Sequence, residues 1–424
     1  MKSEREKERE KEPQREALEK RYAPIINEDL DLGPFVSFSK NSALPFLHLY
    51  RYEEAYSFYL VEYLLQSCGA TETAYVIDPF CGSGITLFTS CVKGIPSVGM
   101  DASPFACFLS QTLPLFLNIS EGTLRNTWKI LRRRAKKCDP APIDNKFVIN
   151  QVFHEKTLLI LKKMNTAIST LSFPYSDIFL YLFFSILEEC STFSRLKREW
   201  TPVKGKNPSN PFSAMERKVG LAEQDLKKTS MDSIDRVFLP KVHLMDSTNS
   251  PWRDVLSRDP TILITSPPYA DAVDYAETYA VELGFLRMHK RHECRTMKQA
   301  MVRSYPSSHA LPDSAPHSAV EEICDALHTT NPSSPLISMI QAYFNDMKKG
   351  FTTWHSQLSS RARVAMVLKN LRYHGQYIPV DLIVCDMAEE IGFTIDNIVV
   401  TRYRKEREPG TLTLRESILF WEKP

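Results

Sequence analysis

"TILITSPPY", residues 261–269, decides how the rest of the chain is read. "TILI" is a short apolar run rich in β-branched residues, the signature of a buried strand. Two consecutive prolines end it. Proline brings no N–H to a hydrogen-bonded ladder, so a central strand cannot continue through them. Pro267 drives Ser266 into an extended conformation, and Pro268 does the same to Pro267. The sequence therefore predicts a stiff loop at the carboxyl edge of a sheet, where open α/β sheets bind ligands. Carbonyls held in fixed directions, together with the Ser266 hydroxyl, make a small set of acceptors. Such a set suits an exocyclic NH2 group, and Tyr269 supplies a flat face for a base. A stiff loop without a ligand is the plain alternative.

Upstream, "TAYVIDPFCGSGITLFTSCVKG" reads as a strand, a glycine turn and a helix ended by Gly94. "IPSVGMDASPFACFLSQTL" repeats the pattern, with Asp101 at the strand end and a helix opening near Ser103-Pro104. Strand alternating with helix predicts a parallel, doubly wound sheet. Glycine at 82 and 84 lets a ligand approach the backbone next to a helix N-terminus. A carboxylate at 101 suits the hydroxyls of a ribose. The spacing is neither GxGxxG nor GxxxxGK[ST], and a GxG turn alone is as well an ordinary turn. Asp246 closes the strand "KVHLMDS" (241–247) and is read either as an acceptor for an adenine amine or as a helix cap.

Composition sets the outer bounds. The chain has 424 residues, 43% hydrophobic and 25% charged, an ordinary soluble balance with room for a large domain and insertions. No apolar run is long enough for a membrane span. Nine cysteines lie scattered, with no CxxC pair and no metal-ligand spacing, which predicts reduced thiols in a cytoplasm and no metal. The N-terminal "MKSEREKEREKEPQREALEKRY" is a mixed-charge run without a signal-peptide core, read as a frayed helix or flexible tail over 1–22. Residues 43–66 carry aromatics and leucines at helical spacing. The segment 303–336, rich in Ser, Pro and His, reads as a long surface loop with a short helix around "AVEEICDAL".

"DPFCGSG" (78–84) together with "TSPPY" (265–269) resembles the exocyclic-amino DNA methyltransferases that use S-adenosylmethionine. The resemblance covers about 45–112 and 238–285, and 361–424 as general fold. It implies a Rossmann-like, mostly parallel seven-stranded sheet with an antiparallel edge hairpin and a mainly helical insertion. The implied layout is a cofactor half at 23–114, the insertion at 115–238 as target-recognition region, and a catalytic half at 239–424. Asp78, Phe80, Cys81, Gly82 and Gly84 would line the methionine end of the cofactor. Asp101, with Ala102, would hold the ribose, and Asp246, with Ser247, the adenine. Ser266, Pro267 and Pro268 would take the target amine, with Tyr269 stacked on the flipped base. A loop opening on Ser is typical of cytosine-N4 enzymes. Adenine-N6 chemistry, a tRNA guanine-N2 enzyme and an inactive nucleic-acid-binding subunit are the alternatives. The partner implied is double-stranded DNA, in a monomer or weak dimer beside a restriction endonuclease that is encoded nearby and not bound.

Three basic stretches are candidates for the phosphate backbone. "RNTWKILRRRAKK" (125–137) gathers charge on one short helix, which is also how a solvated face is written. "SRLKREWTPVKGKNPSN" (194–210) mixes Arg195, Lys197, Arg198, Lys204 and Lys206 with Trp200 in an expected loop. "RYRKER" (402–407) lies between the last two strands. Net charge is only +2, so such local patches, not the total, decide.

Overall fold

Glycine and short polar side chains mark the points where strands hand over to helices. The computed structural model describes residues 13–142, 146–196, 199–229, 238–252, 255–271, 274–286, 297, 301–306, 316–404 and 414–424. They fall into two units. One gathers 34–247 and 274–301 around the glycine turn; the other gathers 1–33, 248–273 and 302–424 around the proline loop. Both are α/β; the sheet strands of the first are parallel, and those of the second are mixed parallel and antiparallel.

In the glycine-turn unit the strands Val76–Asp78, Ser97–Asp101 and Lys241–Leu244 run parallel, with Ile77 opposite Val98 and Gly99 opposite Val242. The helix Ile85–Val92 starts at Gly84 and is buried along almost its whole length. Helix Pro104–Thr112 opens as its sequence predicts: Pro104 takes the first helical position and the Ser103 hydroxyl accepts from the Ala106 amide. The insertion is mainly helical, as expected, with Thr123–Lys137, Glu155–Ile168, Tyr175–Phe184 and Pro211–Lys228 as its longer helices. Helix Thr123–Lys137 has Gly122 at its start and no side-chain cap of its own. The buried Glu223 carboxylate replaces one, accepting from the amides of Gly122 (2.7 Å) and Arg125 (2.9 Å). The expected loop at 194–210 contains a two-stranded ribbon, Phe193–Leu196 against Glu199–Pro202. Helical spacing over 43–66 yields a helix only at Phe58–Ser67; the residues before it run as 3-10 turns and bends.

Five of the described strands in the proline-loop unit lie side by side in the order Ile26–Glu28, Thr394–Arg404, Leu414–Glu422, Arg363–Lys369, Ile262–Thr265, and Leu371–Tyr373 pairs separately with Gln376–Ile378. Leu414–Glu422 is antiparallel to both neighbours, and Ile262–Thr265 is parallel to Arg363–Lys369, with Thr265 opposite Met366. The closing antiparallel pair is present, and the short strand Ile26–Glu28 adds a parallel partner outside it.

Two sequence expectations are corrected here. Residues 14–22 of the expected flexible tail form a packed helix, Gln14–Tyr22, with Leu18 and Tyr22 buried. Its charges are matched one by one: Arg15 to Glu322, Glu19 to Arg415, and Arg21 to Asp386 and Glu389. Residues 1–12 lie outside the described residues. Within the expected surface loop 303–336, the short helix expected around "AVEEICDAL" is present but longer, Ser318–Thr330, and it is packed rather than on the surface, burying Val320, Ile323, Cys324 and Leu327. The Ser and Pro content misled because Ser334 and Pro335 are the cap and first position of the long helix Pro335–Gln357.

Arg415 ties the N-terminal helix to the core. Its guanidinium reaches both Glu19 oxygens at 2.8 Å and the fully buried Asp381 at 3.1 Å. Removing it leaves the buried Asp381 carboxyl without its cation. Arg415→Met is expected to lower unfolding free energy by about 3 kcal/mol in a urea titration, against about 1 kcal/mol for Glu19→Gln. Equal losses in the two variants would show that Asp381 does not depend on Arg415.

Candidate active site

The turn "DPFCGSG" is fixed from within. Gly82 and Gly84 both take positive φ, +50° and +84°. A Cβ on Gly84 would stand 2.5 Å from the Ser110 Cα, so only glycine fits against the helix Pro104–Thr112. Asp78 closes the strand and stays inside the turn. Its carboxylate accepts from the Phe80 amide (3.1 Å), the Thr86 hydroxyl (2.6 Å) and the Tyr56 hydroxyl (3.4 Å). Asp78 therefore shapes the turn. Cys81 is buried behind it, and burial pushes its thiol well above the ordinary range, which removes it as a nucleophile.

Asp101 holds two turns together. One carboxylate oxygen accepts from the Gly82 amide at 3.0 Å and the other from the Ser103 amide at 2.8 Å. Each oxygen keeps a second lone pair, so a diol can still be bound. Burial pushes this carboxyl up to about 6; the amides of Ser103 and Gly82 oppose the shift and the charge of Asp78 adds to it. Ala102 is half-buried beside it. Asp246 is positioned by its neighbours: the Met245 amide donates to the Asp101 carbonyl at 3.0 Å, and the Ser247 hydroxyl to the Pro79 carbonyl at 2.6 Å. The glycine-turn unit thus brings together every residue expected to hold the cofactor.

Sequence reasoning missed the aromatic wall. The Tyr52 ring lies 3.5 Å from where a Cβ on Gly82 would stand. It stacks on Tyr279 with centroids 5.1 Å apart and planes 6° from parallel. The stretch "YRYEEAY" (50–56) carries the signal, but it reads as part of a helical pattern over 43–66, which gives no role for any one ring.

In the other unit, Ile262–Thr265 is fully buried and the chain leaves it into the proline loop. The Ser266 hydroxyl donates to the Tyr269 hydroxyl at 3.2 Å, which leaves both Ser266 Oγ lone pairs available to accept. Among the described residues none donates to the carbonyls of Ser266, Pro267 or Pro268. Burial, with the charge of Glu416 next, raises the Tyr269 phenol, so it stays protonated. Lys369 is a second residue missed from sequence. Its ammonium sits 4.6 Å from the Tyr269 ring centroid and 2.6 Å from Asp271. Tyr373 closes the loop from below, donating to the Ala270 carbonyl at 2.5 Å.

The expected phosphate contacts at 194–210 are partly corrected. Arg195 is buried in an ion pair with the fully buried Glu282 and hydrogen-bonded by the Tyr50 hydroxyl oxygen at 3.1 Å. Lys206 donates inward to the carbonyls of Glu188 and Phe193 and to the Ser194 hydroxyl, and burial lowers its ammonium. Both cations are spent inside the protein: Arg195, on the ribbon, against an acidic side chain, and Lys206, beyond its end, against carbonyl and hydroxyl oxygens. Trp200 is half-buried, Lys204 is exposed, and Lys197 and Arg198 lie outside the described residues. In the third stretch, Arg402 and Arg404 pair with Glu416.

The helix Thr123–Lys137 is different. Leu124, Trp128, Leu131 and Ala135 face the core, and the helix has no acidic residue. Arg125, Lys129, Arg133 and Lys137 are all exposed and spaced four apart, in one line about 18 Å long.

No family model matches the chain. Among curated proteins it is similar to the Type II methyltransferase M.BsoBI of Geobacillus stearothermophilus, 24% identical over 96% of this chain and 91% of that one. It is 23% identical to the Type II methyltransferase M.AvaI of Nostoc sp. and to that of Anabaena variabilis, over 96% of this chain and 93% of each. Among solved structures, an rRNA methyltransferase aviRa from Streptomyces viridochromogenes aligns over 87% of this chain and 86% of its own at 9% identity. Its TM-score is 0.33, an overlap too slight to argue from.

Proposed function

We propose that this protein is a DNA methyltransferase of the restriction–modification type, transferring a methyl group from S-adenosylmethionine to the exocyclic N4 amine of cytosine. The observation that carries this reading is the acceptor set of the proline loop: a serine oxygen with two lone pairs available, followed by carbonyls that no described residue uses. The named relatives, which are Type II methyltransferases aligned with 96% of the chain, support methyl transfer and its setting. The serine at 266 favours cytosine-N4 over adenine-N6 by resemblance.

The glycine-turn residues fit an adenosine-bearing donor. Gly82 offers bare backbone beside Tyr52, and Asp101 offers its remaining lone pairs to a ribose diol. S-adenosylmethionine supplies an electrophilic methyl on a sulfonium. A ring-bound amine is a poor nucleophile because its lone pair is delocalised. Hydrogen bonds from its two N–H groups to Ser266 Oγ and the loop carbonyls draw the nitrogen toward tetrahedral geometry and free that pair. The same acceptors face the proton the amine sheds. An amine paired inside a duplex cannot reach them, so the base is flipped, and Tyr269 stacks on it. The line Arg125–Lys129–Arg133–Lys137 contacts the phosphate backbone. Like charges four apart weaken a helix by a few tenths of a kcal/mol each, a cost that an anionic partner offsets.

Incubation with labelled donor and DNA, followed by digestion to nucleosides, should yield N4-methylcytosine; N6-methyladenine or a label carried only by RNA would replace this reading. Ser266→Ala and Tyr269→Ala are each expected to lower turnover about 100-fold with donor affinity unchanged by calorimetry; retained turnover would contradict their role. Because the Asp101 carboxyl titrates near 6 and ribose hydroxyls favour its charged form, donor affinity should be flat at neutral pH and weaken as pH falls through about 6. Asp101→Asn should bind weakly at every pH. The pair Arg133→Ala and Lys137→Ala should reduce the slope of log affinity for DNA against log salt by about 2; an unchanged slope would place the backbone contact elsewhere.

A further inference from the structure

A buried arginine needs a reason. Arg195 is more than nine-tenths buried as a side chain and pairs with Glu282, which is fully buried. Taking two such ions out of water costs several kcal/mol each, and apolar residues of similar volume often stabilise a core as well or better. Packing alone therefore does not call for a guanidinium here.

Its surroundings are aromatic and directional. The guanidinium carbon lies 5.2 Å from the ring centroids of Trp200 and Tyr279 and 5.9 Å from that of Tyr50. The Tyr50 hydroxyl donates to Glu282 at 3.0 Å, so the anion is fixed as well. Tyr279 is held at its other end by Glu54, to which its hydroxyl donates at 2.5 Å. Tyr279 stacks in turn on Tyr52, whose ring stands against Gly82. A contact path thus runs from the ribbon Phe193–Pro202, through one cation and two stacked rings, to the glycine turn. Burial by itself would lower the guanidinium; Glu282 and the tyrosines more than offset this, so it stays charged.

We propose that Arg195 is a positioning residue for the donor site: by fixing Tyr279, and through it Tyr52, it sets the aromatic wall beside the glycine turn. The proposal rests on the reading of that turn as the S-adenosylmethionine site. It makes the ribbon, part of the insertion, a structural component of donor binding rather than a phosphate contact.

The test uses the full chain. Calorimetry with S-adenosylmethionine is run on the natural sequence, Arg195→Met and Arg195→Lys. Arg195→Met should weaken binding at least about tenfold, and Arg195→Lys, which keeps the cation but not the planar face, should recover part of the loss. Turnover at saturating donor should change far less than the Michaelis constant for donor. A second readout survives a variant that fails to fold. Of the five tryptophans, Trp128, Trp252, Trp354 and Trp421 are fully buried, while Trp200 is half-buried against Arg195. Donor binding should change tryptophan emission in the natural chain, and Trp200→Phe should abolish the change. A natural chain that binds donor with no Trp200-dependent signal, or an Arg195→Met chain that binds with natural affinity, overturns the proposal alone. A natural chain that binds no donor overturns the reading of the turn, and the proposal with it.

Discussion

One carboxylate organises the candidate donor site. Asp101 ends a parallel strand and accepts from the amides of Gly82 and Ser103, which belong to two different strand-to-helix turns. Neither turn can move without breaking a charge-assisted hydrogen bond. Further close contacts surround that clamp. Gly84 is left with no room for a side chain against Ser110, Met245 is drawn to the Asp101 carbonyl, and Ser247 reaches back to Pro79. Desolvation pushes the carboxyl up to about 6, so the clamp is strong in geometry and loses its charge as pH falls through that value.

The parts of this design that depend on neighbours in sequence were legible. Strand, turn and helix around 76–92 and 97–112 could be read from apolar runs, glycine and the Ser103-Pro104 start, and the chain break after Thr265 from two prolines. What depends on distant partners was not. Lys369 draws no reading from its own stretch of sequence, yet its ammonium rests on the Tyr269 ring. Arg195 reads as a phosphate ligand, yet Glu282 takes it. Tyr52 acquires its place only by stacking on Tyr279. Local propensity cannot show a contact whose two ends lie in different segments.

Charge shows the same contrast. A run of basic residues had two readings, solvated face or anion contact, and the structure separates the runs by what their cations touch. At 194–210 the ribbon turns Arg195 inward, and Lys206, just past it, points inward too. At 123–137 the apolar face is taken up by Leu124, Trp128, Leu131 and Ala135, and the remaining cations are exposed. An amphipathic helix separates its faces automatically at 3.6 residues per turn; a two-stranded ribbon with period two has no such guarantee.

The strand Leu414–Glu422 has a consequence for how the chain is made. It lies between Thr394–Arg404 and Arg363–Lys369 and hydrogen-bonds to both. During synthesis its two future neighbours leave the ribosome before it does, each with an open edge. Until Glu422 has emerged, Arg363–Lys369 and Thr394–Arg404 lack their shared partner. Over that interval the nascent polypeptide exposes two unpaired edges rich in valine and isoleucine, the kind of surface that chaperones cover and that otherwise seeds aggregation.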